Sequence, residues 1–178
     1  MKTDGLKLVS NIRLKLSKGG FREASRYIQK MNRSWRGKSR CGVVLSKSSE
    51  LGYFDIVDLV VQSGVSIDTP DQEGYTALEV VAYYGLTASV HNLLARGANP
   101  SRVSSTRTAL QLAAFEGHFE SVKVMIDYGA DINDIAHLRD TDAFRIQGRI
   151  LRYIRQLGGK FDDSIEDMLD NYVALGDF

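Results

Sequence analysis

The chain has 178 residues, 43% of them hydrophobic and 25% charged, with a formal net charge of +1. That is enough chain for one domain with a substantial core, and no window approaches the run of about 18 apolar residues that a membrane-spanning helix needs, so no membrane role is expected. The basic N-terminus lacks the apolar stretch and small-residue cleavage site of a secretory leader, and the lone Cys41 cannot form an internal disulfide; both features point to a reducing, cytoplasmic setting.

Charge is divided unevenly along the chain. Residues 1–40 hold twelve Lys or Arg against only Asp4 and Glu23, while no basic residue falls between Lys47 and Arg96. Within the basic stretch, "KGGFREASRYIQKM" (18–31) places Gly20 and Ile28 where their counterparts recur downstream. In "ELGYFDIVDLVVQSGVSID" (50–68), Val57, Val60 and Val61 form an i, i+3, i+4 set, which predicts one buried helical stripe. Residues 76–86, "TALEVVAYYGL", predict a helix capped by Thr76 with Glu79 three residues on, burying Leu78, Val81 and Ala82. A second helix follows with Val90, Leu93 and Leu94 inward. The pattern returns 32 residues later as "TALQLAAFEGH", with Thr108 and Gln111 as cap, Leu110, Ala113 and Ala114 as the inner face, and Val122, Met125 and Ile126 on the partner helix. Leu151, Ile154 and "GGKFDD" echo the second helix faintly, and "DSIEDMLDNYVALGDF" predicts a final amphipathic helix with Ile165, Met168, Leu169 and Val173 inward.

Two glycine series give these echoes one period. Gly20, Gly52, Gly85 and Gly117 are spaced 32, 33 and 32 residues apart, and Gly64, Gly97 and Gly129 are spaced 33 and 32. A unit of this size cannot bury both faces of its helices alone, so it must stack on its neighbours.

"DQEGYTALEVVAYYGLTASVHNLLARGANP" and "TALQLAAFEGHFESVKVMIDYGADIN" resemble ankyrin repeats. The resemblance covers residues 71–134 strongly, 50–70 well, and both ends faintly. It implies an all-α solenoid in which a β-hairpin or loop finger precedes each helix pair. About five units are expected in a single domain spanning 1–178: a degenerate N-terminal cap at 1–37, clear repeats at 38–70, 71–102 and 103–134, and an irregular closing unit with an acidic helix at 135–178. The family's Thr-Pro-Leu-His signature stands here as Thr-Ala-Leu-Glu and Thr-Ala-Leu-Gln, and is reduced to "VVLS" at 43–46. Without that histidine, looser fingers are expected.

Catalytic constellations are not found. His91, His118 and His137 fall at unrelated places, with His118 where the ankyrin pattern itself prefers histidine. No histidine pair has ligand spacing, and one cysteine builds no zinc site. Cys41 reads as a buried small residue. "SKGG" and "LGGK" lack the phosphate-loop layout and coincide with helix-ending glycines. No metal, cofactor or enzymatic activity is therefore expected.

The resemblance implies binding of a partner protein through finger tips and the exposed concave side of the first helices. Carried over to this chain, those places fall on Gln72, Glu73, Tyr75, Tyr83 and Tyr84, then on Ser104, Ser105, Arg107, Phe115 and Glu116. One unit earlier they fall on Ser39, Arg40, Gly42, Glu50 and Leu51. Aromatic and arginine side chains of this kind dominate interface hot spots. The alternative is a nucleic-acid or anionic surface on the basic segment 2–40, with Arg33, Arg36, Lys38 and Arg40 exposed around Trp35. Self-association of that segment with the acidic tail (Asp162, Asp163, Glu166, Asp167, Asp170) is a further expectation.

Overall fold

The computed structural model describes residues 5–103, 107–136, 148–161 and 163–174. Ten helices are described: α1 Gly5–Asn32, α2 Trp35–Glu50, α3 Phe54–Gln62, α4 Ala77–Tyr83 and α5 Thr87–Ala95, then α6 Ala109–Phe115, α7 Phe119–Asp127, α8 Asn133–Ala136, α9 Gly148–Gln156 and α10 Asp163–Ala174. Among the described residues the fingers are loops with no strand, apart from one isolated bridge between Val103 and Thr108.

The glycine series set the fold. Gly20, Gly52, Gly85 and Gly117 all have φ between 65° and 77°, and Gly64, Gly97, Gly129 and Gly158 between 86° and 92°. Each series therefore marks one recurring corner, the first between the two helices of a unit and the second after them. Side chains with a Cβ rarely adopt that conformation. At Gly20 the corner (φ 65°, ψ −168°) breaks α1 into two arms, 5–19 and 21–32. The first arm packs on α2 and the second on α3, as a helix pair like those that follow.

Two rows result. The first arm of α1, then α2, α4, α6 and α8 stack as one row; the second arm, α3, α5, α7 and α9 form the other, and α10 closes against α9. Small residues make the first row close-packed: Ala77, Ala82, Ala109, Ala113 and Ala114 are at most 1% exposed. The core runs through Ile12, Ile28, Leu45, Ile56, Leu93, Leu110 and Met125 to Ile150 and Leu169. The expected inner faces are buried, with Val61 and Ile126 only partly so. Ile165 and Leu169 face inward on α10 as expected, while the side chains of Met168 and Val173 lie outside the described set.

Both capping boxes form. Glu79 N donates to Thr76 Oγ1 (3.3 Å) and Thr76 N to Glu79 Oε2 (2.6 Å); Gln111 N and Thr108 N make the matching pair at 3.3 and 3.0 Å. Polar ties then join unit to unit. Gln111 Nε2 donates to the Asp134 carbonyl at 2.7 Å, so at this position glutamine supplies a tie in the absence of the family's histidine. His118 Nε2 meets the Tyr83 carbonyl at 2.9 Å, a structural role as expected. On the outer row, Ser25 meets Ser63 and Thr87 meets Ser121 through hydroxyls, each at 2.9 Å. Arg96 grips Asp58 of the preceding unit with two bonds of 2.7 and 3.1 Å.

The first two units depart from the expected pattern. Helix α2 starts at Trp35, capped by Ser34, and continues to Glu50. Ser39, Arg40 and Gly42, expected at a finger tip, therefore lie inside a helix. The stretch contains no proline and no aspartate to open a turn, and its glycines serve close approach instead. A Cβ on Gly42 would sit 2.1 Å from the Pro70 carbonyl oxygen, and one on Gly37 would collide with the Met31 carbonyl. The first arm of α1 is likewise about twice as long as α4 or α6.

Candidate interaction groove

Position decides which first-row side chains remain available. Each short helix turns one face to its neighbours and lifts its C-terminal residues clear of them. Tyr83 and Tyr84 sit at that raised end of α4, 45% and 58% exposed, with their rings edge to face at 5.2 Å. One unit on, Phe115 and Glu116 occupy the same places; Glu116 is exposed, whereas Phe115 packs partly against the core. The Arg107 guanidinium lies over the Phe115 ring, 4.6 Å from its centre, a cation–π contact.

The loop before α4 supplies the opposite wall. Asp71 Oδ1 accepts from Glu73 N (2.8 Å) and Tyr75 N (3.1 Å), and Asp71 N donates to the Tyr75 carbonyl at 2.8 Å. This Asx-type turn holds Glu73 outward and Tyr75 against the helix row. Burial pushes the Asp71 carboxyl above its usual range, opposed by those backbone donors.

Between the walls runs a cavity of about 470 Å³ that brings together Tyr75, Tyr83, Tyr84, Glu73, Arg107, Phe115 and Glu116. Of the fifteen positions expected at the interface, these seven and Glu50 thus line one groove. Gln72 lies just beyond, in an adjoining hollow of about 400 Å³ over α2. The two share Ser46, Glu50, Asp71 and Glu73, so the groove is continuous across the faces of α2, α4 and α6. Glu50 is reached as expected; Leu51 is exposed beside it. Ser104, Ser105, His137, Asp162 and the Trp35 side chain lie outside the described residues and side chains.

Sequence reasoning missed Asp71, Ser46 and Glu79 as groove residues. The signal for Asp71 was present, since Asp followed by Gly three residues later is a turn signature. Ser46 had none: its contribution depends on how α2 meets the next loop.

Electrostatically the groove is acidic. Glu50, Asp71, Glu73, Glu79 and Glu116 line it or its extension, against Lys47 and Arg107. Glu79 is buried in its capping box and Glu50 is paired with Lys47.

The basic residues of the first unit and of the start of α2 lie elsewhere. Arg33, Arg36, Lys38 and Arg40 are all exposed. An additional stripe went unnoticed in the sequence: Arg22, Arg26 and Lys30, four residues apart on the second arm of α1, are exposed on one face. Arg13, by contrast, covers the Tyr53 ring at 4.5 Å and Lys15 pairs with Glu23 at 3.3 Å. In the acidic tail, Arg155 of the same unit pairs with Glu166 (3.0 Å) and Asp170 (2.7 Å).

Cys41 is fully buried, and burial pushes its thiol up to about 11 against the pull of Arg40. His91 is exposed and stacks edge to face with Tyr128 at 5.5 Å. No group of three or more His, Cys, Asp or Glu among the described residues is placed to hold a metal, and no described helix is long and apolar enough to cross a membrane.

A family model of three ankyrin repeats matches residues 45–136. Among similar proteins, the calmodulin-binding transcription activator CBT of Oryza sativa subsp. japonica is 42% identical over 77 residues, covering 39% of this chain and 8% of that protein. The E3 ubiquitin-protein ligase XBAT32 of Arabidopsis thaliana is 36% identical over 84 residues, 46% of this chain and 16% of the ligase. An IkB-like protein of African swine fever virus is 31% identical over 91 residues, 50% of this chain and 38% of the viral protein. The chain spans well under half the length of each of these relatives.

Proposed function

The chain belongs to the ankyrin-repeat family, whose repeats generally serve as protein–protein interaction modules, and on that premise we propose that it binds a partner protein in the groove over α2, α4 and α6. The carrying observation is the pair Tyr83 and Tyr84, large aromatic rings left 45% and 58% exposed beside a cavity of about 470 Å³. Rings of this size add most to an interface when a partner covers them. The stacked rows hold them on short capped helices, so little conformational freedom is lost on binding. The role is non-catalytic and cytoplasmic: occupancy of a partner's surface, as an inhibitor, adaptor, effector or immunity protein would use it.

Affinity capture from the native cell tests this. Wild-type protein and the Tyr83→Ala/Tyr84→Ala variant are compared, with the captured proteins quantified by mass spectrometry. A partner held by the wild type and lost by the variant supports the reading; a partner held equally by both removes it.

The exposed Arg22, Arg26 and Lys30 stripe favours one second reading, contact with a nucleic acid or another anionic surface through the first unit. Under that reading, affinity for a random-sequence RNA falls steeply with salt and collapses when Arg22, Arg26 and Lys30 become Ser.

A further inference from the structure

We propose that the segment this groove accepts carries lysine or arginine side chains, so that the partner's docking element is a basic peptide; this rests on the groove being the partner site. Three observations converge. The groove and its extension carry five carboxylates against two cations, four of the five (Glu50, Asp71, Glu73 and Glu79) coming from the stretch between Lys47 and Arg96 that has no Lys or Arg. Carboxylates and ring surfaces interleave in its lining: Glu73 and Tyr75 on the loop before α4, Tyr83 and Tyr84 at the end of α4, Phe115 and Glu116 at the end of α6. Lysine and arginine match that lining, because the aliphatic stem lies on a ring while the charged head reaches a carboxylate or the ring face.

The third observation is a working example within the groove. Arg107 lies over Phe115 at 4.6 Å in a wall that includes Glu116, which is the arrangement an incoming cation would repeat at the tyrosines. An acidic segment would meet net repulsion from this surplus of negative charge. The groove extends unbroken from Phe115 across to the hollow over α2, a shape that fits an extended chain with several side chains engaged in turn.

The experiment is selection of phage-displayed random dodecapeptides on the intact chain, with counter-selection on the Tyr83→Ala/Tyr84→Ala variant so that only groove-dependent peptides remain. These are expected to be enriched in Lys and Arg. A synthetic peptide of the selected sequence should lose about tenfold in affinity to Glu73→Gln/Glu116→Gln and weaken as salt rises. It should bind more tightly to Arg107→Gln, which removes a like charge; a merely structural defect would not change sign in this way. Groove-dependent peptides without Lys or Arg enrichment overturn the proposal while leaving the groove as the partner site. Failure to recover any peptide sensitive to Tyr83 and Tyr84 overturns both. Sedimentation of the free chain as a dimer that the tyrosine variant abolishes would assign the groove to a second copy of this chain rather than to a partner's basic peptide, and would also overturn the proposal.

Discussion

The first unit and the third and fourth units share one glycine corner but solve different problems with it. Around Gly85 and Gly117 the helices are seven and nine residues long; the seven-residue ones, α4 and α6, start at capping boxes, and their C-terminal ends carry aromatic side chains into the groove. Around Gly20 the arms are longer, no finger separates α1 from α2, and the outer face carries arginine and lysine. An internal unit is covered on both sides and can leave a face for a ligand. In the first unit, longer helices and a charged surface cover the core on the side away from the second unit. The contrast separates residues that shield the core from residues that present the groove.

Core truncation is the harshest way to probe the contrast. Leu110 and Ile12 are both fully buried, and replacing either with Ala is expected to cost about 2–5 kcal/mol. Leu110→Ala should lower the single main unfolding transition in urea. Ile12→Ala should instead detach the first unit, seen as an early transition with hydrogen-exchange protection lost over 5–32 and kept over 77–127. Equal behaviour of the two variants would abolish the distinction between the first unit and the centre.

Gly20→Ala probes the corner itself. At φ 65° and ψ −168° a side chain with a Cβ is strained by about 1–3 kcal/mol, and nothing else stands within 4 Å of the added methyl. The loss measured by chemical denaturation should therefore be a backbone effect confined to the first unit. Thr108→Ala removes one half of a capping box and should cost about 1 kcal/mol, measured the same way.

The smallest effect concerns Cys41. Its folded pKa, about 11, lies above the 9.0 of an exposed thiol. The unfolded chain thus releases its proton first, and this group's contribution to stability is complete below pH 9.0 and falls as pH rises from there toward 11. At pH 8, labelling by a disulfide reagent should be slow in the native protein and should follow opening of α1 from α2. Rapid labelling without unfolding would mean the first unit is not closed.

The period, the caps and the inner faces were legible because each is written in local spacing: a glycine every 32 or 33 residues, Thr76 three residues before Glu79, Leu110 before Ala113 and Ala114. Most of the groove was legible for the same reason, since Tyr83 and Phe115 hold equivalent places in successive units. The continuous helix α2 was not. Its arginines and serines permit helix without demanding it, and Gly42 reads as a finger-tip residue until Pro70 is seen lying against it. Ser46 was invisible as a groove residue because its place there depends on contact between units, which no single window of sequence contains.

The central claim is that Tyr83 and Tyr84 exceed what folding requires. Urea denaturation of Tyr83→Ala/Tyr84→Ala measures that directly. A free energy of unfolding within about 1 kcal/mol of the wild type is expected, as for two surface positions. A loss of about 3 kcal/mol or more, the scale of a buried aromatic ring removed from a core, would make these tyrosines part of the scaffold and leave the groove without its binding surface.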